Sequence, residues 1–85
     1  MVIDAGRATY PERWGATIKE LRTSRGLTVQ QFAVELGVSR QAVKVWENGN
    51  FPPSDRNRIL IARFFNIPPT ILFDLRLDDE PLEAA

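Results

Sequence analysis

Between Thr28 and Gly49 two short amphipathic patterns stand on either side of one glycine, and no other stretch of this 85-residue chain constrains its fold as tightly. Thr28, with Gln31 three residues on, has the form of a capping box, which satisfies two of the orphan amides at a helix start. Phe32, Ala33 and Leu36 follow at helical spacing and mark a face to be buried. Gly37 supplies the left-handed residue that stops this helix, and Ser39 is placed to cap the next. In the second pattern Val43 and Trp46 turn inward, which leaves Arg40, Gln41, Lys44, Val45 and Asn48 facing out. The expectation is two helices, near 28–36 and 39–48, joined by one tight turn.

The flanks extend this into an all-α, compact bundle of about five short helices. Thr9 can cap a first helix, with Pro11 in its first turn and Glu12 completing a box. Trp14, Ile18 and Leu21 line one face of it, and Gly26 ends it. Asn50-Phe51-Pro52-Pro53 is a stiff loop, because both prolines oppose helix continuation. Ser54 caps a fourth helix whose expected inner face is Ile59, Leu60, Ala62 or the stem of Arg63, Phe64 and Phe65. Asn66 tolerates the left-handed stop, and Pro69 starts a short fifth helix through about Leu75. The domain reading is a flexible arm over 1–10, a body over 11–75 and an acidic, frayed tail over 76–85.

Composition excludes more than it assigns. There is no cysteine and no histidine, which removes disulfides, thiolate metal sites, the commonest metal ligand and the commonest general base. No nucleophile–base pair or metal cluster can be assembled from what remains, so neither catalysis, a metal nor a cofactor is expected. No apolar run approaches a membrane span and no signal-peptide pattern opens the chain, so a cytoplasmic protein is expected. The zero net charge conceals an uneven layout. Residues 12–51 carry +2, residues 55–63 another +2, and residues 74–85 carry −4 through Asp74, Asp78, Asp79, Glu80 and Glu83 against Arg76. A basic body can bind a polyanion despite a neutral sum, since the local field governs approach.

Residues 18–73 resemble the Cro/repressor-type (XRE-like) helix-turn-helix domain of phage repressors and many bacterial regulators, a lambda-repressor-like DNA-binding fold. The likeness rests on Ile18-Lys19-Glu20-Leu21-Arg22, Gly26-Leu27-Thr28, Trp46-Glu47-Asn48-Gly49 and Ile67-Pro68-Pro69-Thr70-Ile71-Leu72-Phe73 standing in this order and spacing. It implies a partner, double-stranded DNA, with the helix after Ser39 in the major groove. Arg40, Gln41, Lys44 and Val45 are then the candidate base readers. Arg can hold guanine O6 and N7 with two bonds, Gln adenine N6 and N7, and valine methyls can pack on thymine. Gln30, Ser39, Asn48, Asn50, Arg56 and Arg58 are the phosphate candidates, helped by the free amides of helix starts. The resemblance also implies a structural ion pair between Arg22 and Glu47. One departure stands out: the family often has a phosphate-holding glutamine directly after the position of Thr28, and here it is Val29.

The last third holds more bulky apolar residues than one small core needs, among them Ile59, Ile61, Ile71, Leu75 and Leu77. That surplus suggests a homodimer, at least on DNA, through the fourth and fifth helix region. The functional expectation is a sequence-specific transcriptional regulator, a Cro-like or short phage-type repressor on a pseudo-palindromic operator. The alternatives are an antitoxin whose acidic tail caps a protein partner, and a protein-interaction module that has kept the fold without the DNA binding.

Overall fold

In a computed structural model, which describes residues 9–73, each helix starts on a hydroxyl side chain or a proline. Residues 1–8 of the expected arm over 1–10, the last two residues of the expected body, and all of the expected tail over 76–85, Arg7, Leu75 and Leu77 among them, lie outside the described residues.

Helix α1 runs Tyr10–Ser24. Thr9 accepts from the Glu12 amide at 3.4 Å, and the Glu12 carboxylate accepts from the Thr9 amide at 3.0 Å. Both residues 9 and 10 therefore belong to the helix start rather than to an arm. The helix closes on Arg25, and Gly26 turns the chain at φ +71°. Helix α2, Val29–Leu36, opens on the Thr28–Gln31 box, with bonds of 3.0 and 2.8 Å. It stops at Gly37, whose φ of +76° is the left-handed stop that the turn requires. The amides of Gly37 and Val38 both return to the Ala33 carbonyl, at 2.9 and 3.0 Å. Helix α3, Arg40–Glu47, starts one residue after Ser39, whose hydroxyl accepts from the Ala42 amide at 3.0 Å. Helix α4, Asp55–Phe65, is capped by Ser54 and stopped by Asn66 at φ +59°. Helix α5, Pro69–Leu72, is a single turn, shorter than the expected run to Leu75.

Helix α3 packs against α1 and α2, and α4 packs against α2 and α5. Phe32 of α2 sits at the centre, fully buried, with the Phe65 ring 5.5 Å and the Phe64 ring 5.6 Å away. Trp14 closes one end, meeting Phe73 edge-on at 5.2 Å. Burial of each such side chain is worth about 2–3 kcal/mol, which is why so few large residues suffice. The described helices are all-α with no strand among them.

Helix α4 corrects the expected inner face. Its buried residues are Ile61, Ala62 and Phe65, whereas Leu60 and Phe64 are half-buried and Ile59 is 47% exposed. With Ile59, Leu60 and Ile61 consecutive, more than one stripe is available to the helix. Contact of Phe65 with Phe32 selects the stripe one turn back from Phe65, which passes through Ile61 and not Ile59.

Candidate functional site

Helix α3 is held from behind by three devices. Val43 is fully buried and Trp46 nearly so, which anchors the inner stripe. Ala33 of α2, also buried, is small enough for the two helices to approach. The third device is at the C-terminal end, where α1 meets α3 through Gly15. A Cβ built at Gly15 would drive into the Trp46 carbonyl oxygen and come within 3.2 Å of the Glu47 carbonyl oxygen. The closeness of this helix crossing therefore depends on the absence of a side chain at Gly15. The sequence offers one sign of it: a glycine inside a helix, at a cost of about 1 kcal/mol relative to alanine, needs a packing reason.

Seven residues after Gly15, Arg22 ties three segments together. Its Nε and Nη2 donate to the Glu47 carboxylate at 2.7 and 2.9 Å, and its Nη1 donates to the Leu27 carbonyl at 2.7 Å. One guanidinium thus joins the end of α1, the turn before α2 and the last residue of α3. Arg22 is only 8% exposed, so these bonds form in a partly dry setting. The hydrogen bond to Glu47, backed by its charge and opposed by burial, raises the Arg22 pKa above its ordinary value. A raised arginine pKa contributes stability at every pH below the ordinary value and loses it only as the guanidinium deprotonates in strong alkali. The clamp is therefore constant across the neutral range.

The opposite side of α3 has no such ties. Arg40, Gln41 and Lys44 are exposed, and among the described residues their side chains have no ion pair or hydrogen bond. Val45 is half-buried rather than fully outward, since it lies on the flank of the helix one position before Trp46. Ser39 and Asn48, the caps of α3, Asn50 just after it, and Gln30 in the first turn of α2 are all exposed. The Ser39 hydroxyl oxygen is occupied as a cap acceptor, which leaves its O–H as a donor. Val29 turns half-inward onto the core and leaves Gln30 as the exposed side chain of that first turn.

The two arginines of α4 part company. Arg56 is exposed, with no partner among the described residues. Arg58 is engaged inside the molecule: its Nη1 donates to the Pro53 carbonyl at 3.0 Å, its Nη2 pairs with Asp55, and its guanidinium lies 5.0 Å over the Trp14 ring. A planar cation committed to an aromatic face and a loop carbonyl is a buttress for the 50–54 loop. Sequence reasoning missed this because Trp14 and Arg58 are far apart in the chain.

The described body, residues 9–73, carries nine cations against five carboxylates, a net +4. Exposed donors on α3 over a positive body match the acceptor edges and phosphates of a nucleic acid. Among the described residues no helix is long and apolar enough to cross a membrane, and no group of three or more metal-ligating side chains is gathered.

Comparison with known proteins bears on this geometry. The sequence profile described as Helix-turn-helix matches residues 18–72. An uncharacterized HTH-type transcriptional regulator of Archaeoglobus fulgidus is 38% identical over 65 residues, covering 76% of this chain and 90% of that protein. Another, from Methanocaldococcus jannaschii, is 36% identical over 63 residues, covering 74% of this chain and 94% of that protein. The HTH-type transcriptional activator BcrR of Enterococcus faecalis is 38% identical over 50 residues, or 59% of this chain. The matched part spans 24% of BcrR, so that likeness concerns one segment of a longer protein.

Proposed function

Since this chain belongs to the helix-turn-helix family of transcriptional regulators, we propose that it binds double-stranded DNA sequence-specifically, with the outer face of α3 in the major groove. One observation carries the reading. Arg40, Gln41 and Lys44 stand exposed without internal partners on a helix whose other side is locked by Arg22, Glu47 and Gly15. Rigid backing with unspent donors in front is what base readout asks of a helix, because an ordered platform reduces the entropy lost on docking. Arg40, Gln41 and Lys44 read base edges, and Val45 packs on a thymine methyl from the flank. Gln30, Ser39, Asn48, Asn50 and Arg56 hold phosphates. Arg58, by contrast, serves the DNA by bracing the loop that carries Asn50.

The regulator acts as a dimer on a pseudo-palindromic operator and represses by occluding a promoter. Support for the dimer is the apolar face left open on α4 and α5, where Ile59 and Ile71 are 47% and 68% exposed. Two copies would set their α3 helices one DNA turn apart.

Selection of bound duplexes from a random pool, followed by mobility-shift titration at several salt concentrations, tests the proposal. The expected result is a symmetric consensus and, for about four phosphates neutralised per copy, a log–log salt slope near −7. Recovery of no consensus from a folded sample in dilute buffer would overturn it.

A further inference from the structure

Beside α4 and α5 runs an open groove of about 330 Å³, lined by Ile59, Ala62, Arg63, Asn66, Ile67, Pro68 and Pro69. Its walls are largely apolar, and its one charged side chain, Arg63, is exposed with no partner among the described residues. Arg56 lies two turns earlier on α4, equally free. This surface asks for a ligand that alternates carboxylates with aliphatic side chains.

Such a sequence follows directly after Phe73. Residues 74–85 carry Asp74, Asp78, Asp79, Glu80 and Glu83, interleaved with Leu75, Leu77 and Leu82. We propose that this segment of the same chain folds back along the α4–α5 groove, setting its leucines on Ile59, Ile67 and Pro68 and its carboxylates against Arg63. The segment's net −4 equals the +4 of the described body, so docking joins opposite fields of matched size.

Reach and concentration favour the same chain over any other occupant. Twelve residues span up to about 40 Å when extended. The groove begins at Pro69, four residues before Phe73, and the α4 stretch from Ile59 to Asn66 rises only about 10 Å. A tether this short holds the segment at an effective concentration of order millimolar, well above that of a second copy in dilute solution. The groove adjoins the face proposed above for the dimer, so the docked segment and a second copy compete for it. Docking itself depends on neither the dimer nor DNA.

The test uses the full chain without DNA. The chain has no native cysteine, so Ala84→Cys carries a single nitroxide in isotopically labelled protein. The expected result is loss of the amide signals of Ile59, Arg63 and Ile67, restored when the nitroxide is reduced. Adding Arg63→Glu to the labelled chain should return the Ile59 and Ile67 signals while the rest of the spectrum stays folded. Signals that survive throughout the groove, or that are lost equally in the Arg63→Glu chain, overturn the proposal. A third sample mixes nitroxide-bearing chains that are isotopically silent with labelled chains that bear none. Loss of the same groove signals in that mixture, at the same strength, places a second copy in the groove and also overturns the proposal.

Discussion

Along α3, the side turned toward α1 and α2 and the side turned away are built on different principles. Inward, Val43 and Trp46 are buried, Glu47 is held by two bonds from Arg22, and the end of the helix rests against a glycine that admits no side chain. Outward, Arg40, Gln41 and Lys44 are exposed and make no side-chain hydrogen bond or ion pair among the described residues. The contrast teaches that the residues holding this eight-residue helix in place differ from those proposed to read DNA, so the two roles can be tested separately.

The inner side should fail first and hardest. Arg22→Ala removes three hydrogen bonds and leaves the Glu47 carboxylate poorly solvated, which should cost about 3 kcal/mol. A small domain has little more than about 5 kcal/mol in total, so urea unfolding of this variant should begin near zero denaturant. Gly15→Ala is a contest of two effects. Alanine improves helix propensity by about 1 kcal/mol, yet its methyl meets backbone oxygen atoms that cannot rotate away. Because the clash is with backbone rather than a movable side chain, the overpacking cost should fall at the upper end of its range, about 3 kcal/mol, and win, with a net loss of about 2 kcal/mol on the same urea curve. A gain in stability would mean that the α1–α3 crossing is looser than described.

The outer side should behave in the opposite way. Gln41→Ala should leave the urea midpoint unchanged and relax preference at one base position by about 1–3 kcal/mol, read from selected sites. Arg56→Ala, on α4, should weaken every sequence alike and lower the magnitude of the dimer's salt slope by about two, one cation being lost from each copy. Arg58→Ala sharpens the comparison: it should lower stability rather than the salt slope, because its guanidinium is spent on Pro53, Asp55 and Trp14.

What was legible in the sequence follows the same division between local and distant causes. The starts at Thr9, Thr28, Ser39 and Ser54 and the stops at Gly37 and Asn66 were readable because a cap acts within four residues of itself. The outer residues of α3 were readable because helical period alone puts them opposite Val43 and Trp46. The register of α4 was not, since three consecutive aliphatic residues leave several stripes open until Phe65 meets Phe32. Nor were Gly15 and Arg58, whose roles depend on Trp46, Glu47 and Trp14, residues brought near only by the finished fold. The Arg22–Glu47 contact lies between these cases: a family likeness suggested it, and no spacing rule would have.

The central claim is that side chains from Arg40 to Val45 lie against base edges. Amide chemical-shift mapping of the labelled chain, titrated with a duplex from the selected pool, tests it most directly. The largest changes should fall on residues 39–45, with smaller ones at Gln30, Asn50 and Arg56 and little along the buried side of α1. If the changes instead gather on α4 and α5 and leave Arg40, Gln41 and Lys44 unmoved, the proposed docking of α3 is wrong.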